Sequence, residues 1–261
     1  SWYALTKGTG LSQKSSVGSL GSFGHGSKAP FTMTKSQSVF YYTVINSGND
    51  KKKFEKRFQG KSILQSHEEP KTKSLTQSTG FYGLEEGLQP LIGSKVPKWA
   101  VSLRKEFSGG TGTSIFIPFT SFNADLFPET KITVVANFFY AILMGSLEVT
   151  VDQETITKDN VIDMFRWSKD NLDVEKDFID DEHIRQCFQS IETIISPTNS
   201  GKQQIPNFGR IDWFIRINDE VQERRVGVAR KTGMLITRRP LKLERFTGVK
   251  NFDLFVCVVS L

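Results

Sequence analysis

Cysteine is scarce in this 261-residue chain, with only Cys187 and Cys257 and no CxxC pair. Two distant cysteines in apolar company make neither a disulfide framework nor a zinc cluster, and they suit a reducing, cytoplasmic setting. Long apolar runs are also lacking. None reaches the ~18 residues that a bilayer span needs, and the best stretch, Ile132 to Leu147, contains Asn137 and predicts a buried helix followed by a strand. No membrane partner is expected. A basic-then-apolar leader is missing as well. The chain starts at Ser1-Trp2-Tyr3 without a methionine and ends on the apolar run Phe252 to Leu261, so both ends read as cuts within a longer protein. No internal repeat is visible.

What is present is the composition of a folded protein. Hydrophobic residues make up 38% and charged residues 24%, with 21 phenylalanines, enough to bury a core in one large domain or two ordinary ones. The formal charge of +6 permits contact with nucleic acid or nucleotide phosphates without demanding it, since a solvated basic surface has the same composition.

Patterning divides the chain at about residue 127. Residues 1–20 are rich in Gly, Ser, Thr and Lys, as a loop over a site would be. A short helix is expected from about Lys28, with Pro30 tolerated in its first turn. Ser38 to Ile45, SVFYYTVI, predicts a strand. The following NSGNDKKKFEKR reads as a turn with a charged surface, and Phe58 to Gln65 as another strand. An amphipathic turn is expected around Lys98 to Glu106. Beyond Gly109, Gly110 and Gly112, the apolar run Thr113 to Phe119 predicts a central strand. The second part, 128–261, opens on an apolar helix over Thr130 to Met144. Next come a strand over Leu147 to Val151 and a helix over Thr157 to Trp167 capped by Asp159. An amphipathic helix follows over Asp180 to Ser196, with Ile184, Phe188, Ile191 and Ile195 on one face. Strands are expected over Arg210 to Ile217, Arg225 to Thr237 and Val249 to Val259, which makes this part an α+β module.

The chemistry concentrates in Gly18 to Phe31, GSLGSFGHGSKAPF. Glycines let a backbone approach a ligand closely, and a helix start offers unpaired N–H groups, so the pair suggests an anion cradle, most naturally for phosphate. A Walker loop does not fit, because from Gly21 the lysine slot holds Ser27 and Lys28 arrives one position late. Gly24 to Ala29 matches GxGxxA, but Lys14 to Leu20 is too polar to be the strand that a dinucleotide fold requires there. A kinase glycine loop would continue as a strand where Ala-Pro-Phe interrupts.

The remaining pattern is GxxGxG between a polar lid and a helix. Gly21-Ser22-Phe23-Gly24-His25-Gly26, followed by Ser27 and Lys28, resembles the second glycine box of the GHKL ATPases (gyrase, heat-shock chaperones, histidine kinases, MutL). Gly110-Thr111-Gly112-Thr113-Ser114 before IFIPF resembles the later glycine–threonine box of the same superfamily, at the expected order and spacing. The resemblance implies an α/β fold of α+β type: a partial Bergerat-type ATP-binding sandwich over 1–127 and a transducer-like module over 128–261, as in the gyrase and MutL branch. It further implies that backbone amides of the first box hold ATP phosphates and that Gly112 and Thr113 lie near the adenine end. Arg230 or Lys231 in VARKTGMLIT is the candidate for the transducer's γ-phosphate contact, although an exposed hairpin turn at Gly233 explains that segment equally. The superfamily's catalytic glutamate, its Mg²⁺-binding asparagine and its DxGxG box would lie upstream of Ser1. No catalytic residue and no metal ligand is therefore assigned here, and this piece alone is expected to hydrolyse nothing.

For the whole protein the resemblance implies lid closure on ATP and Mg²⁺, slow hydrolysis, homodimerisation, and DNA or an effector subunit as partner. Anti-phage defence is a further association of large bacterial proteins of this type. The alternative is a non-enzymatic interaction or nucleic-acid-binding module with a degenerate nucleotide site. Lesser candidates have plain explanations. His25 is either a phosphate donor or an exposed spacer, and His67 beside Glu68 and Glu69 is more simply a polar loop than a metal site. The acidic residues of DDEH at 180–183 suit a helix N-terminus, and neither cysteine has a local base partner in sequence.

Overall fold

The computed structural model describes residues 2, 6–7, 28–47, 50–104, 110–120, 122–172, 181–206, 209–217, 221, 224–229, 235–239 and 251–260. The fold is α+β, in two compact units that part between Phe122 and Asn123.

The first unit is built on strand β1 (Ser38–Ser47), whose run of β-branched and aromatic residues favours extended backbone. One helical turn, α1 (Ala29–Thr32), precedes it. Strand β2 (Asp50–Ile63) returns antiparallel, from Asn46 opposite Phe54 to Ser38 opposite Ser62, with an irregularity at Asn46/Ser47. The short strands β3 (Thr79–Tyr82) and β4 (Leu91–Ile92) both pair with β2. Helix α2 (Lys98–Leu103) follows, and β5 (Gly112–Phe116) then pairs antiparallel with the free side of β1, giving the order β3-β2-β1-β5.

Directly opposed residues in a sheet share a face, so the two faces can be read from the register. On one face Phe40, Tyr42 and Val44 of β1 join Phe58 of β2 and Phe116 of β5 beneath Trp99 and Ala100 of α2. The Trp99 ring meets Phe40, Phe58 and Phe116 edge-on at centroid distances of 5.7, 5.4 and 5.4 Å. Edge-to-face contact at this range is the preferred aromatic arrangement. On the other face Val39 and Tyr41 are buried against Phe31 of α1 and Trp2.

Two expectations are corrected here. The run NSGNDKKKFEKR is not a charged turn. Only residues 48 and 49 separate the strands, and KKKFEKR is the first half of β2. Its charges obscured an alternation in which Phe54, Lys56 and Phe58 lie opposite Asn46, Val44 and Tyr42. The run Thr113 to Phe119 is not a central strand either. Among the described residues β5 pairs only with β1, and it ends at Phe116, before Pro118, with Ile115 45% exposed. Proline lacks the N–H that a longer ladder would need.

The second unit packs helices on a five-stranded sheet. Helix α3 (Phe127–Leu143) carries Pro128 in its first turn and buries Ile132, Val135, Ala136, Phe139, Tyr140 and Ile142. It stops at Gly145, whose φ of 67° places its N–H on the Ile142 carbonyl while Ser146 N–H reaches Ala141. The stretch Ala124–Leu143 is long and apolar enough by composition to cross a membrane, but its apolar face is taken up by the core. A hairpin of β6 (Val149–Val151) and β7 (Glu154–Ile156) leads to α4 (Val161–Asp170) and α5 (Asp181–Ile195). Asn160, not Asp159, occupies the cap position of α4, with its side-chain oxygen taken by Thr157 N–H. Ile184, Phe188 and Ile191 of α5 are buried, each contributing about 1.5–3 kcal/mol.

The sheet runs β11-β10-β12-β9-β8, from β8 (Asn199–Ile205), β9 (Gly209–Arg216), β10 (Arg225–Ala229), β11 (Leu235–Arg239) and β12 (Asp253–Ser260). Only the β10–β12 pair is parallel. The expected single strand Arg225 to Thr237 is a pair, β10 and β11, antiparallel to each other. Tyr140 of α3 donates its hydroxyl to Asp212 Oδ2 at 2.8 Å, and Asp212 lies opposite Cys257 in the β9–β12 register.

Burial, reinforced by the Asp212 charge, pushes the Cys257 thiol from its ordinary 9.0 up to about 12. Burial and the same carboxylate also raise Tyr140. A raised folded-state pKa stabilises below the unfolded value and is lost as pH climbs through the folded one. Chemical denaturation across pH 8 to 12 should therefore show the second unit losing stability from about pH 9 upward. Cys257→Ala should flatten that slope, leaving the part of the same sign that belongs to Tyr140.

Candidate functional site

Of the residues singled out in sequence, Gly21, Ser22, Phe23, Gly24, His25, Gly26 and Ser27 lie outside the described residues, as do Arg230 and Lys231. Lys28, Gly112 and Thr113 are described, all in the first unit. Lys28 is exposed at the start of α1, and its carbonyl accepts from Phe31 N–H at 3.0 Å. The helix expected there is a single turn of four residues. So few aligned peptide dipoles do not make an anion site by themselves. What α1 does is anchor the end of the glycine segment, since Phe31, 4% exposed, packs on Val39 and Tyr41.

The glycine–threonine box has the backbone its residues require. Gly110 and Gly112 have φ of 71° and 145°, a region L side chains rarely adopt. A side chain at Gly110 would also meet the Phe54 ring at 3.1 Å. Thr113 lies opposite Thr43, and their hydroxyls are 2.9 Å apart. Thr43 and Thr113 fall on the face of β1 that carries Val39 and Tyr41, so α1 and the threonine of the second box share one side of the sheet.

That face is unusually polar for its burial. Its β2 rungs are Glu55, Arg57, Gln59 and Lys61, opposite Ile45, Thr43, Tyr41 and Val39. Glu55 and Arg57 pair with each other. Gln59 is fully buried, donating from Nε2 to the Leu88 carbonyl at 2.8 Å, while its Oε1 has no partner. Lys61 is 7% exposed, and burial lowers its pKa from the ordinary 10.5. Burial raises the Tyr41 hydroxyl pKa. Sequence reading missed Gln59 and Lys61 although both fall within the expected strand Phe58 to Gln65. Their signal is the period of two, E-x-R-x-Q-x-K, that places four polar side chains on one face.

The opposite face holds a cleft of about 360 Å³ lined by Tyr42, Val44, Phe54, Lys56, Val101, Arg104 and Gly110. The Arg104 guanidinium lies 5.3 Å from the Tyr42 ring centroid and 3.4 Å from the Gly110 carbonyl. Gly110 therefore borders this cleft while Thr113 faces the other way.

The lesser candidates are occupied. The His67 ring lies 3.1 Å from the Thr76 hydroxyl, Glu68 pairs with Lys73 at 3.7 Å, and Glu69 accepts from Thr72. Glu182 accepts from Gln186 within α5. The reading that neither cysteine has a base nearby is corrected: His183 Nε2 lies 3.5 Å from Cys187 Sγ, one turn apart on α5, and 3.0 Å from Asn137 Oδ1. The i, i+4 spacing was legible, but Cys187 is 1% exposed inside the core, where no substrate reaches its sulfur.

No model of a known protein family matches this chain, and none of the curated proteins matches it either.

The box geometry has a direct mechanical consequence. Gly112→Ala forces a side chain into a positive-φ position and should cost about 1–3 kcal/mol, seen as a lower melting temperature. Thr113→Ser, which keeps the hydroxyl facing Thr43, should melt close to the parent.

Proposed function

We propose that this chain is the phosphate-side part of a GHKL-type ATP-binding domain joined to a transducer-like α+β module, within an ATPase that controls a partner by nucleotide-dependent lid closure. One observation carries the reading. The turn that follows GSFGHGSK and the threonine of GGTGT lie on one face of one antiparallel sheet, although some 80 residues separate them in sequence. A nucleotide whose phosphates meet the first segment and whose base meets the second would lie along that face. Gly21 to Lys28 would approach the phosphates through backbone amides, and Gly112 would let the chain pass close to the base before Thr113 offers its hydroxyl.

ATP supplies the bound energy that closes the lid. Mg²⁺ offsets phosphate charge through a ligand expected outside these residues, and the water-activating base is expected there too. Arg230 or Lys231 is the proposed γ-phosphate contact. In this reading the module acts in a homodimer, with DNA or an effector subunit as the controlled partner, and anti-phage defence is a setting such a switch would serve.

In the full-length protein, Gly24→Val and Gly26→Val should each lower ATP turnover at least tenfold, because a branched side chain blocks close approach of the backbone to phosphate. Radiolabelled phosphate release measures turnover and equilibrium dialysis measures binding. Unchanged nucleotide binding in both variants would contradict the phosphate role.

A further inference from the structure

The face of the first sheet that carries α2 holds a row of aromatic rings that the nucleotide reading does not use. Tyr82, Gly60, Phe40 and Phe116 form one rung across β3, β2, β1 and β5. A side chain at Gly60 would meet the Phe40 ring at 2.7 Å and the Tyr82 side chain at 2.9 Å, so the glycine lets those two rings touch edge-on. Trp99 stands next to them over Phe58, and Phe54 lies further along β2 on the same side. From Gly60 to Phe54 the strand advances about 20 Å. Tyr82, Trp99 and Phe54 remain 53, 43 and 49% exposed, and apolar surface gathered in this way marks a place of interaction.

Cations follow the same line. The exposed Lys56 and the Arg104 guanidinium line the cleft beside Phe54, and among the described residues no carboxylate lines it. Arg104 is held in place over the Tyr42 ring and against the Gly110 carbonyl. Exposed rings along a basic groove are the combination that takes unpaired bases by stacking and their phosphates by charge. A duplex keeps its bases stacked on one another and presents only their edges, which leaves such rings without a use.

We infer that this face binds single-stranded nucleic acid, its bases stacking on Tyr82, Trp99 and Phe54 and its phosphates meeting Lys56 and Arg104. The inference goes beyond the nucleotide reading, since it gives the DNA partner a strand state and a surface, and it does not depend on that reading. The α1 side lies across the sheet, so a strand bound here does not compete with ATP bound there.

Fluorescence anisotropy of the full-length protein tests this with a labelled oligothymidylate of about 12 nucleotides, a duplex of equal length, and a salt series. Wild type should hold the single strand about tenfold more tightly than the duplex. Phe54→Leu should weaken the single strand by about tenfold, the loss of one stacked base, and leave the salt dependence as it was. Lys56→Gln should weaken it too and reduce the slope of log affinity against log salt by about 0.7, the loss of one phosphate contact. Both side chains are exposed, so both variants should melt near the parent and bind ATP as it does. Should Phe54→Leu not fold, Tyr82→Leu carries the same comparison. Unchanged single-strand affinity in the ring and lysine variants, or displacement of the strand by oligoglutamate of equal charge, would overturn the inference and leave the nucleotide reading standing. Wild type that binds the strand as described but not ATP would uphold the inference and overturn the nucleotide reading alone.

Discussion

Strand β1 is buried on both of its faces, and the first unit depends on that. Val39 and Tyr41 look one way, Tyr42 and Val44 the other, and all four are at most 3% exposed. Such a strand must be covered on both sides and paired along both edges, which β2 and β5 do. Apolar burial and aromatic edge contacts supply the stabilisation on one face, where Trp99 closes over three phenylalanine rings. The other face is less self-sufficient. There Phe31 of α1 and Trp2 pack on Val39 and Tyr41, with Gln59 and Lys61 on the facing rungs of β2. The sheet thus has one apolar side and one more polar side, where the Gln59 Oε1 and the Trp2 indole N–H are buried without partners.

The second unit handles buried charge differently. The Asp212 carboxylate takes a hydroxyl from Tyr140 on one oxygen, and the Arg210 guanidinium lies 3.7 Å from the other. Glu192 is likewise shared by Lys169 and Arg216. Asp212 Oδ1 is left without a hydrogen bond, since Arg210 stands too far off to donate one, whereas the partly exposed Glu192 is held by both of its cations.

Much of the architecture is legible where one period dominates. SVFYYTVI marked β1, and the spacing of Ile184, Phe188 and Ile191 marked α5, because burial selects the same positions that the pattern exposes. Legibility failed where two signals competed. Lysines in KKKFEKR suggested a surface turn, yet from Phe54 onward the chain pairs with β1, and residues 51–53 are carried into β2 across the irregularity at Asn46/Ser47. Thr113 to Phe119 looked central because it is apolar, but its length and its single pairing partner are set by Pro118 and by neighbours that no local pattern reveals. Asp159 lost the cap of α4 to Asn160, a shift of one residue that no capping side-chain hydrogen bond accounts for. For the site, the glycine spacing proposed a ligand and the threonine box proposed where it ends. The period of two puts Gln59 and Lys61 on one face of β2, but which face of β1 they oppose follows only from the β1–β2 register.

The central claim is that a nucleotide lies on the α1 face of this sheet. Methyl-resolved NMR of the full-length protein during ATP titration tests it most directly, because methyl groups mark the two faces separately. The account predicts saturable shifts at the methyls of Thr43, Thr113 and Val39, with Val44 and Val101 unmoved. Shifts confined to Val44 and Val101, beside the cleft formed with Tyr42, Phe54 and Arg104, would contradict it.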